Sequence, residues 1–167
     1  DTSSRVISKL ADFNDRSLGK GVVRCADTPG FLGNRVGVFA LQVGIDEAIS
    51  CGLSVEDADA LMGRPMGIPK TGVFGLYDLI GIDLMVDVVK SLNNILPTGD
   101  AFHAVGKENK TITSMIKNGF TGNKGRGGFY KTGPGGLSHT LQLVGHKGGS
   151  LPPYAAAKKE LPELAIK

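Results

Sequence analysis

Asn34 is the residue of this sequence best placed to take part in chemistry. It lies within residues 27–35, D-T-P-G-F-L-G-N-R, where a short extended segment leads into a long apolar stretch. Thr28 precedes a proline and is pushed toward an extended conformation, while Pro29 and Gly30 provide turn and helix-start chemistry. We therefore expect Asn34 in the first turn of a helix, whose rigid backbone can aim the side chain into a cleft.

The Asn34 side chain is an uncharged amide that offers two hydrogen-bond donors and one acceptor oxygen. Such a group can hold a carbonyl or hydroxyl group without disturbing the charge of a neighbouring base. A simpler interpretation is that Asn34 only caps the helix or forms a hydrogen bond within its first turn. The residues by themselves leave both interpretations open.

The other polar and glycine-rich stretches lack the spacing that ligand sites need. The histidines fall in or near loops without metal-ligand spacing: His103, His139 and His146. Gly19 and Gly21 lack the third glycine of a dinucleotide-binding loop, and residues 122–128 lack the Gly-Lys-Ser/Thr step of a phosphate loop. These stretches therefore predict neither a metal site nor a nucleotide site.

The elements that must hold Asn34 in place are predicted to be helices. Apolar periodicity and capping residues predict them over 3–18, 31–51, 54–62, 73–80, 83–95 and 107–117. Asp78 is then expected on a helix surface and Asp83 at a helix cap. Residues 21–25 are predicted to form a short strand without an evident partner. The expected fold class is all-α, a helical bundle.

The helix over 31–51 is apolar on more than one face, which predicts burial at the centre of the bundle. Gly33, Gly37 and Gly44 interrupt it, and glycines inside a helix indicate close approach of another backbone or a ligand. The spacing of Gly33 and Gly37 predicts a helix crossing there. From residue 119 glycines become frequent, and residues 132–167 are expected to form an irregular arm or linker.

Composition and charge exclude several classes of protein. The chain has 167 residues, 41% hydrophobic and 21% charged, and no apolar run long enough for a membrane span. Residues 107–167 carry ten Lys/Arg against three Asp/Glu, but no aromatic residues alternate with them, which argues against nucleic-acid binding. Cys25 and Cys51 are expected to be partly buried free thiols in a reducing cytoplasm. A chain that begins at Asp1 without Met is expected to be a piece of a longer protein.

Four motifs together resemble the C-terminal helical domain of 3-hydroxyacyl-CoA dehydrogenases. They are D-T-P-G-F-x-x-N-R at 27–35, R-P-M-G at 64–67, G-L-Y-D-L-I-G-I-D at 75–83 and G-G-F-Y-K at 127–131. They occur in the family's order over most of the chain. The resemblance implies that residues 1–25 are a helix-strand remnant of a preceding nucleotide-binding domain, that 26–131 form the helical domain, and that 132–167 follow as the arm.

The resemblance implies that the parent enzyme oxidises (S)-3-hydroxyacyl-CoA to 3-oxoacyl-CoA with NAD+ in fatty-acid β-oxidation. It assigns Asn34 to the active site, beside a His–Glu pair that would lie before Asp1 together with the NAD fold. Met66 is then expected to line the acyl channel, with a core-filling role as the alternative. Lys70 lies in a longer loop typical of multifunctional β-oxidation proteins and could meet a CoA phosphate, unless it is only solvated.

The expected partners follow from the same resemblance. They are the acyl-CoA substrate, the protein's own nucleotide-binding domain, and a homodimer partner or second helical module, with no nucleic acid and no membrane span. This piece alone is expected to bind no NAD and to be inactive. Two alternatives remain open, a non-catalytic helical dimerisation or interaction module and the helical domain of another NAD-dependent dehydrogenase family.

Overall fold

A computed structural model describes residues 2–136, 138–146 and 150–158 of the chain. Its helices are α1 (Ser4–Asp12, continued by a π-helical turn over Phe13–Ser17), α2 (Leu32–Ser50), α3 (Val55–Leu61), α4 (Phe74–Ile80), α5 (Ile82–Ile95), α6 (Phe102–Val105) and α7 (Lys110–Lys117). The predicted all-α class is confirmed. Among the α-helices of the described residues, only the single turn of α6 was not predicted. Among the described residues, no helix is both long and apolar enough to cross a membrane.

Helix α2 passes through the core only along its C-terminal half. Its buried residues are Val38, Leu41, Gln42, Gly44, Ile45 and Ala48. The first turns lie open, with Leu32 exposed to 50% and Val36 to 63%. The prediction that the whole helix is buried is therefore wrong for its start, because no described element covers that apolar surface.

The three glycines of α2 differ in how closely other described residues pack against them. A side-chain carbon built at Gly44 would lie 2.4 Å from Met62 Cε, so this glycine does permit close packing. At Gly33 and Gly37 the added carbon would meet no described atom within 4 Å. The helix crossing predicted from these two glycines is thus not made by the described part of the chain.

Helix α2 contacts α5 and α6, and α3, α4 and α7 contribute to the same hydrophobic core. The core side chains that they and the following segment contribute include Val55, Ala58, Phe74, Tyr77, Ile82, Met85, Leu92, Ile112, Met115 and Phe129. The predicted cap of α3 is confirmed, since the Ser54 hydroxyl accepts a hydrogen bond from the Asp57 amide at 3.2 Å. Asp83 is no cap, because α5 already begins at Ile82; its carboxylate instead pairs with Lys124 at 2.7 Å.

Three short strands follow the helices. Strands β1 (Tyr130–Thr132), β2 (Ser138–Leu141) and β3 (Tyr154–Ala156) form an antiparallel sheet in that order. Part of the segment expected to be irregular therefore folds back onto the bundle, where Leu141 and Leu143 are buried and the Thr140 hydroxyl donates to Glu56 at 2.8 Å. The remainder of the expected arm, residues 137, 147–149 and 159–167, lies outside the described residues.

The N-terminal part of the chain has little buried surface. Helix α1 has no buried residue, although it carries an apolar stripe that includes Leu10 and Phe13. Residues 21–25 form no strand, because no described segment lies beside them to share backbone hydrogen bonds. Cys25 and Cys51 are free thiols, as predicted, but both are exposed and not partly buried.

Candidate functional site

The backbone turns sharply where α2 begins. Gly30 has φ +94°, and a side-chain carbon there would lie 2.5 Å from Leu92 Cδ2, so only glycine fits. Phe31 follows with φ 56°, a region that non-glycine residues seldom adopt, and its ring is 80% exposed. Such backbone strain costs roughly 1–3 kcal/mol and is typical of functional sites.

An ion pair fixes the first turn of α2 to the rest of the bundle. The Arg35 guanidinium lies 2.5 Å from Asp100 Oδ2. The other oxygen of Asp100 accepts a hydrogen bond from the Phe102 amide at 2.9 Å. This amide, together with the charge of Arg35, lowers the pKa of Asp100 below its ordinary value. The start of α2 and the start of α6 are therefore held by one carboxylate.

Asn34 lies in this first turn, as the sequence predicted, and its side chain is exposed. Its amide has no hydrogen-bond partner among the described residues, so it neither caps α2 nor bonds within the turn. Gly37 is its neighbour one turn along the helix surface, and a side-chain carbon at Gly37 would meet no described atom within 4 Å. Asn34 thus stands on a bare helix face that another molecule or domain can approach closely.

A cavity of about 910 Å³ lies beside the start of α2 but on another face of the helix. Residues 23–32, together with Arg35, Val36 and Phe39, contribute to its lining, and Asn34 does not. The described chain therefore builds no closed pocket around the Asn34 amide from this side.

Met66 and Lys70 lie in the loop between α3 and α4. Met66 ends a 3₁₀ turn over Arg64–Met66 and is 62% exposed, so the alternative that it fills the core is wrong. Lys70 is exposed and lines a cavity of about 690 Å³ with Arg64 and Lys158, above the carboxylates of Glu56 and Asp59. The lining of this cavity includes neither Asn34 nor Met66.

The structure does not bring the three predicted site residues into one described pocket. The loop that carries Met66 and Lys70 begins next to Gly44, whose Cα position faces Met62. Asn34 lies ten residues earlier on the same helix, which corresponds to about 15 Å along its axis.

Comparison with known proteins decides the family. The model of the family described as 3-hydroxyacyl-CoA dehydrogenase, C-terminal domain, matches residues 30–132. This chain belongs to the 3-hydroxyacyl-CoA dehydrogenase C-terminal domain family. The resemblance drawn from the four sequence motifs is confirmed, and the helical fold agrees with it.

Several relatives of this dehydrogenase domain are longer proteins. The chain is 43% identical over 126 residues to a Rickettsia prowazekii protein provisionally named a fatty acid oxidation complex trifunctional enzyme, covering 75% of this chain and 18% of that protein. It is 32% identical over 130 residues to human mitochondrial hydroxyacyl-coenzyme A dehydrogenase, covering 78% and 40%. The crystal structure of Mycobacterium tuberculosis FadB2 is similar with a TM-score of 0.60 and 26% identity, over 79% of this chain and 44% of FadB2.

The 3-hydroxyacyl-CoA dehydrogenase motifs at 75–83 and 127–131 meet at a buried carboxylate. Asp78 is 2% exposed, and its two oxygens each accept a 2.8 Å hydrogen bond, from the Phe129 amide and from the Tyr130 amide. Burial raises the pKa of Asp78 to about 6, despite these two donors. The expectation that Asp78 lies on a helix surface is therefore wrong.

A second buried carboxylate of this dehydrogenase domain, Asp59, holds the start of α4. It accepts hydrogen bonds from the Phe74 and Gly75 amides at 2.7 and 2.9 Å, and from the Tyr130 hydroxyl at 2.9 Å. Burial raises its pKa too, and these donors oppose the rise. Asp78 follows Phe74 by four residues, so helical spacing could have placed it on the core face. Asp59 likewise follows the buried Val55 by four residues, so the same spacing could have placed it on the core face of α3.

Proposed function

We propose that this chain is the C-terminal part of an enzyme that oxidises (S)-3-hydroxyacyl-CoA to 3-oxoacyl-CoA with NAD+ in cytoplasmic fatty-acid β-oxidation. The family assignment supports this activity, and the chain spans only 18% and 40% of two longer relatives. Its role is to close the substrate cleft and to present Asn34 to the reacting end of the substrate.

The cofactor is assigned to the nucleotide-binding domain of the parent enzyme. NAD is held in dehydrogenases by a glycine-rich turn between a strand and a helix. The described residues contain no such unit, since their strands all follow the helices. These residues therefore do not fit NAD, and we assign both the hydride acceptor and the catalytic base to the nucleotide-binding domain.

The observation that carries the proposal is the Asn34 amide, which pairs with no described residue and lies on an open helix face one turn from Gly37. An amide in that position can donate to the oxygen of a bound hydroxyacyl group and accept from the base that removes its proton. The Asn34 amide would thus hold the substrate oxygen and the catalytic base in line without adding a charge. This is the positioning role that such a side chain can perform from outside the nucleotide-binding domain.

The rest of the nucleotide-binding domain is proposed to pack on the exposed apolar surfaces of α1, its own last helix, and of α2. These surfaces include Leu10 and Phe13 on α1, and Leu32 and Val36 on α2, all at least half exposed. Exposed apolar surface of this kind marks an interaction site. On this basis we retain residues 1–25 as the end of that domain, 26–131 as the helical domain and 132–167 as a following segment.

The test of this function is the replacement Asn34→Ala in the chain joined to the nucleotide-binding domain of a 3-hydroxyacyl-CoA dehydrogenase. We expect kcat/KM for acetoacetyl-CoA reduction by NADH to fall by roughly 30- to 150-fold, since hydrogen bonds to reacting groups contribute on the order of 2–3 kcal/mol. Melting temperature should stay within a few degrees, because Asn34 has no partner among the described residues to lose.

Asn94→Ala is the matched control, because Asn94 is also an exposed helical asparagine without a described hydrogen bond. It should leave kcat/KM unchanged. Full turnover by Asn34→Ala would refute the positioning role.

Lys70 is proposed to contact a phosphate of the CoA moiety, and Met66 to line the path of the acyl chain. Replacing Lys70 by alanine should raise KM for acetoacetyl-CoA by about three- to tenfold with kcat unchanged, because an exposed phosphate contact contributes to binding and not to chemistry. Steady-state kinetics with acetoacetyl-pantetheine, which lacks the phosphates, should show no difference. Lys110→Ala is the control, and an equal KM effect with both substrates would contradict the assignment.

A helical interaction module remains the second candidate, favoured by the open apolar start of α2 with Gly33 and Gly37. A homodimer or a second helical module would then cover that surface, and Asn34→Ala would not affect turnover. A third reading, the helical domain of another NAD-dependent dehydrogenase, predicts turnover of short free hydroxy acids. Acetoacetyl-CoA reduction without activity on such acids would exclude it.

A further inference from the structure

A cavity of about 450 Å³ opens between α2, α4, α5 and α7, and its lining includes none of the residues assigned above to the dehydrogenase reaction. The volume falls within the range of small-molecule sites, about 300–1,000 Å³. Its buried end is polar, its walls are apolar and its mouth carries positive charge. Each of these three regions places a separate requirement on a ligand.

The buried end holds two polar groups without partners. Tyr77 is 1% exposed, and its hydroxyl has no hydrogen-bond partner within the described part of the chain. Gln42 is 8% exposed and lines the same cavity, and its amide forms no hydrogen bond to any described residue. A fully buried hydroxyl is nearly always paired in folded proteins, so the Tyr77 hydroxyl, with the Gln42 amide lining the same cavity, points to a ligand atom that pairs with both.

The chemistry of these two groups favours an uncharged oxygen. Burial, with a smaller contribution from the charge of Asp46, raises the pKa of Tyr77, so its hydroxyl stays a donor at every physiological pH. The Gln42 amide can both donate and accept. A carboxylate at this depth would lose its hydration beside the negative charge of Asp46, whereas a hydroxyl or carbonyl would not.

The walls and the mouth define the rest of the ligand. Val86 and Val89 on α5 face Ile112 and Ile116 on α7 across the cavity, which suits an unbranched hydrocarbon chain. The mouth is lined by three exposed lysines, Lys90, Lys107 and Lys117. The single acidic residue in the lining is Glu108, whose carboxylate already accepts from the Thr113 hydroxyl at 3.0 Å. The mouth therefore attracts an anion.

We propose that this cavity is a second ligand site, which takes a linear carboxylate with a hydroxyl or carbonyl oxygen at its other end. The uncharged oxygen binds between Tyr77 and Gln42, the chain lies between the valine and isoleucine walls, and the carboxylate stays hydrated among the lysines at the mouth. The site is separate from Asn34, so it does not depend on the function proposed above.

The test is titration calorimetry of the 167-residue chain with three six-carbon probes: 6-hydroxyhexanoate, hexanoate and 1,6-hexanediol. The first carries both recognised ends, and each of the others lacks one. We expect saturable binding of 6-hydroxyhexanoate with Kd on the order of 1 mM, and at least fivefold weaker binding of the other two. Raising the salt concentration should weaken binding of the two carboxylates and not of the diol.

Tyr77→Phe separates a binding role from a structural one. It removes only an unpaired hydroxyl, so the fold should persist, with an unchanged circular dichroism spectrum. We expect it to weaken 6-hydroxyhexanoate binding about five- to tenfold and to leave hexanoate binding unchanged. Tyr154→Phe is the control, because that hydroxyl donates to the Gly128 carbonyl outside the cavity. Gln42→Leu should act as Tyr77→Phe does.

Three results would overturn the proposal. The first is the absence of saturable binding, whether the chain is a monomer or a dimer by ultracentrifugation. The second is equal affinity for hexanoate and 6-hydroxyhexanoate, and the third is unchanged affinity after Tyr77→Phe.

Discussion

Replacing Asp78 by alanine is expected to lower the free energy of unfolding of this chain by about 3–5 kcal/mol at pH 7. The change leaves the buried Phe129 and Tyr130 amides without their acceptor. An unsatisfied buried donor costs roughly 1–3 kcal/mol, and the lost side-chain volume adds to the loss. Urea unfolding followed by circular dichroism measures the difference in the free energy of unfolding. Asp78→Asn keeps one acceptor oxygen, so its stability should lie between those of the native chain and Asp78→Ala.

The difference in stability between the native chain and Asp78→Ala is expected to increase as the pH falls. The pKa of Asp78 is raised from 3.8 to about 6 in the folded state, so between these values the native chain binds more protons than the unfolded chain. The stabilisation of the folded state by protonation of Asp78 is fully present below about pH 4 and is lost as the pH rises through 6. The advantage of the native chain over Asp78→Ala should therefore grow by about 2 kcal/mol as the pH falls from 7 to 4.

Asp87→Ala provides the control for both measurements. Asp87 is an exposed aspartate on α5, and replacement of such a surface residue changes stability by no more than about 0.5 kcal/mol. A constant difference for Asp78→Ala between pH 7 and pH 4 would show that the pKa of Asp78 is not raised by burial.

Gly128→Ala is expected to lower the free energy of unfolding by about 3 kcal/mol or more. A side-chain carbon at Gly128 would lie 1.9 Å from Asp78 Oδ1 and 2.5 Å from its Cγ. Overpacking of a buried site costs about 1–3 kcal/mol, and here relief of the clash would also break the hydrogen bonds of Asp78. Denaturant unfolding gives the loss directly.

Gly33→Ala is the matched comparison, with the opposite sign. Gly33 lies inside α2 with no described atom within 4 Å of an added carbon, so alanine should stabilise the chain by up to about 1 kcal/mol through helix propensity. A double replacement tests the mechanism at Gly128, because without the Asp78 carboxylate the alanine at 128 has room. If Gly128→Ala costs as much in the Asp78→Ala background as in the native chain, the clash is not the cause.

The sequence determined the helices and their order because those features depend on neighbouring residues. Ser54 caps α3 through an amide three residues away, and the apolar period of α5 repeats within a few turns. The start of α2 was predicted for the same reason, since Pro29 and Gly30 act on the backbone next to them. The position of Asn34 in the first helical turn follows from that local chemistry alone.

Only the tertiary structure decided which polar groups are buried and which apolar ones are not. Asp78 is buried because residues fifty positions later supply its two donors, and Tyr77 and Gln42 share a cavity although they lie on separate helices. Gly33 and Gly44 are both glycines of α2, yet only Gly44 has other described side chains, those of Met62 and Val73, packed against it. Burial depends on what long-range packing places opposite a residue, and local spacing shows only which residues share a face of one helix.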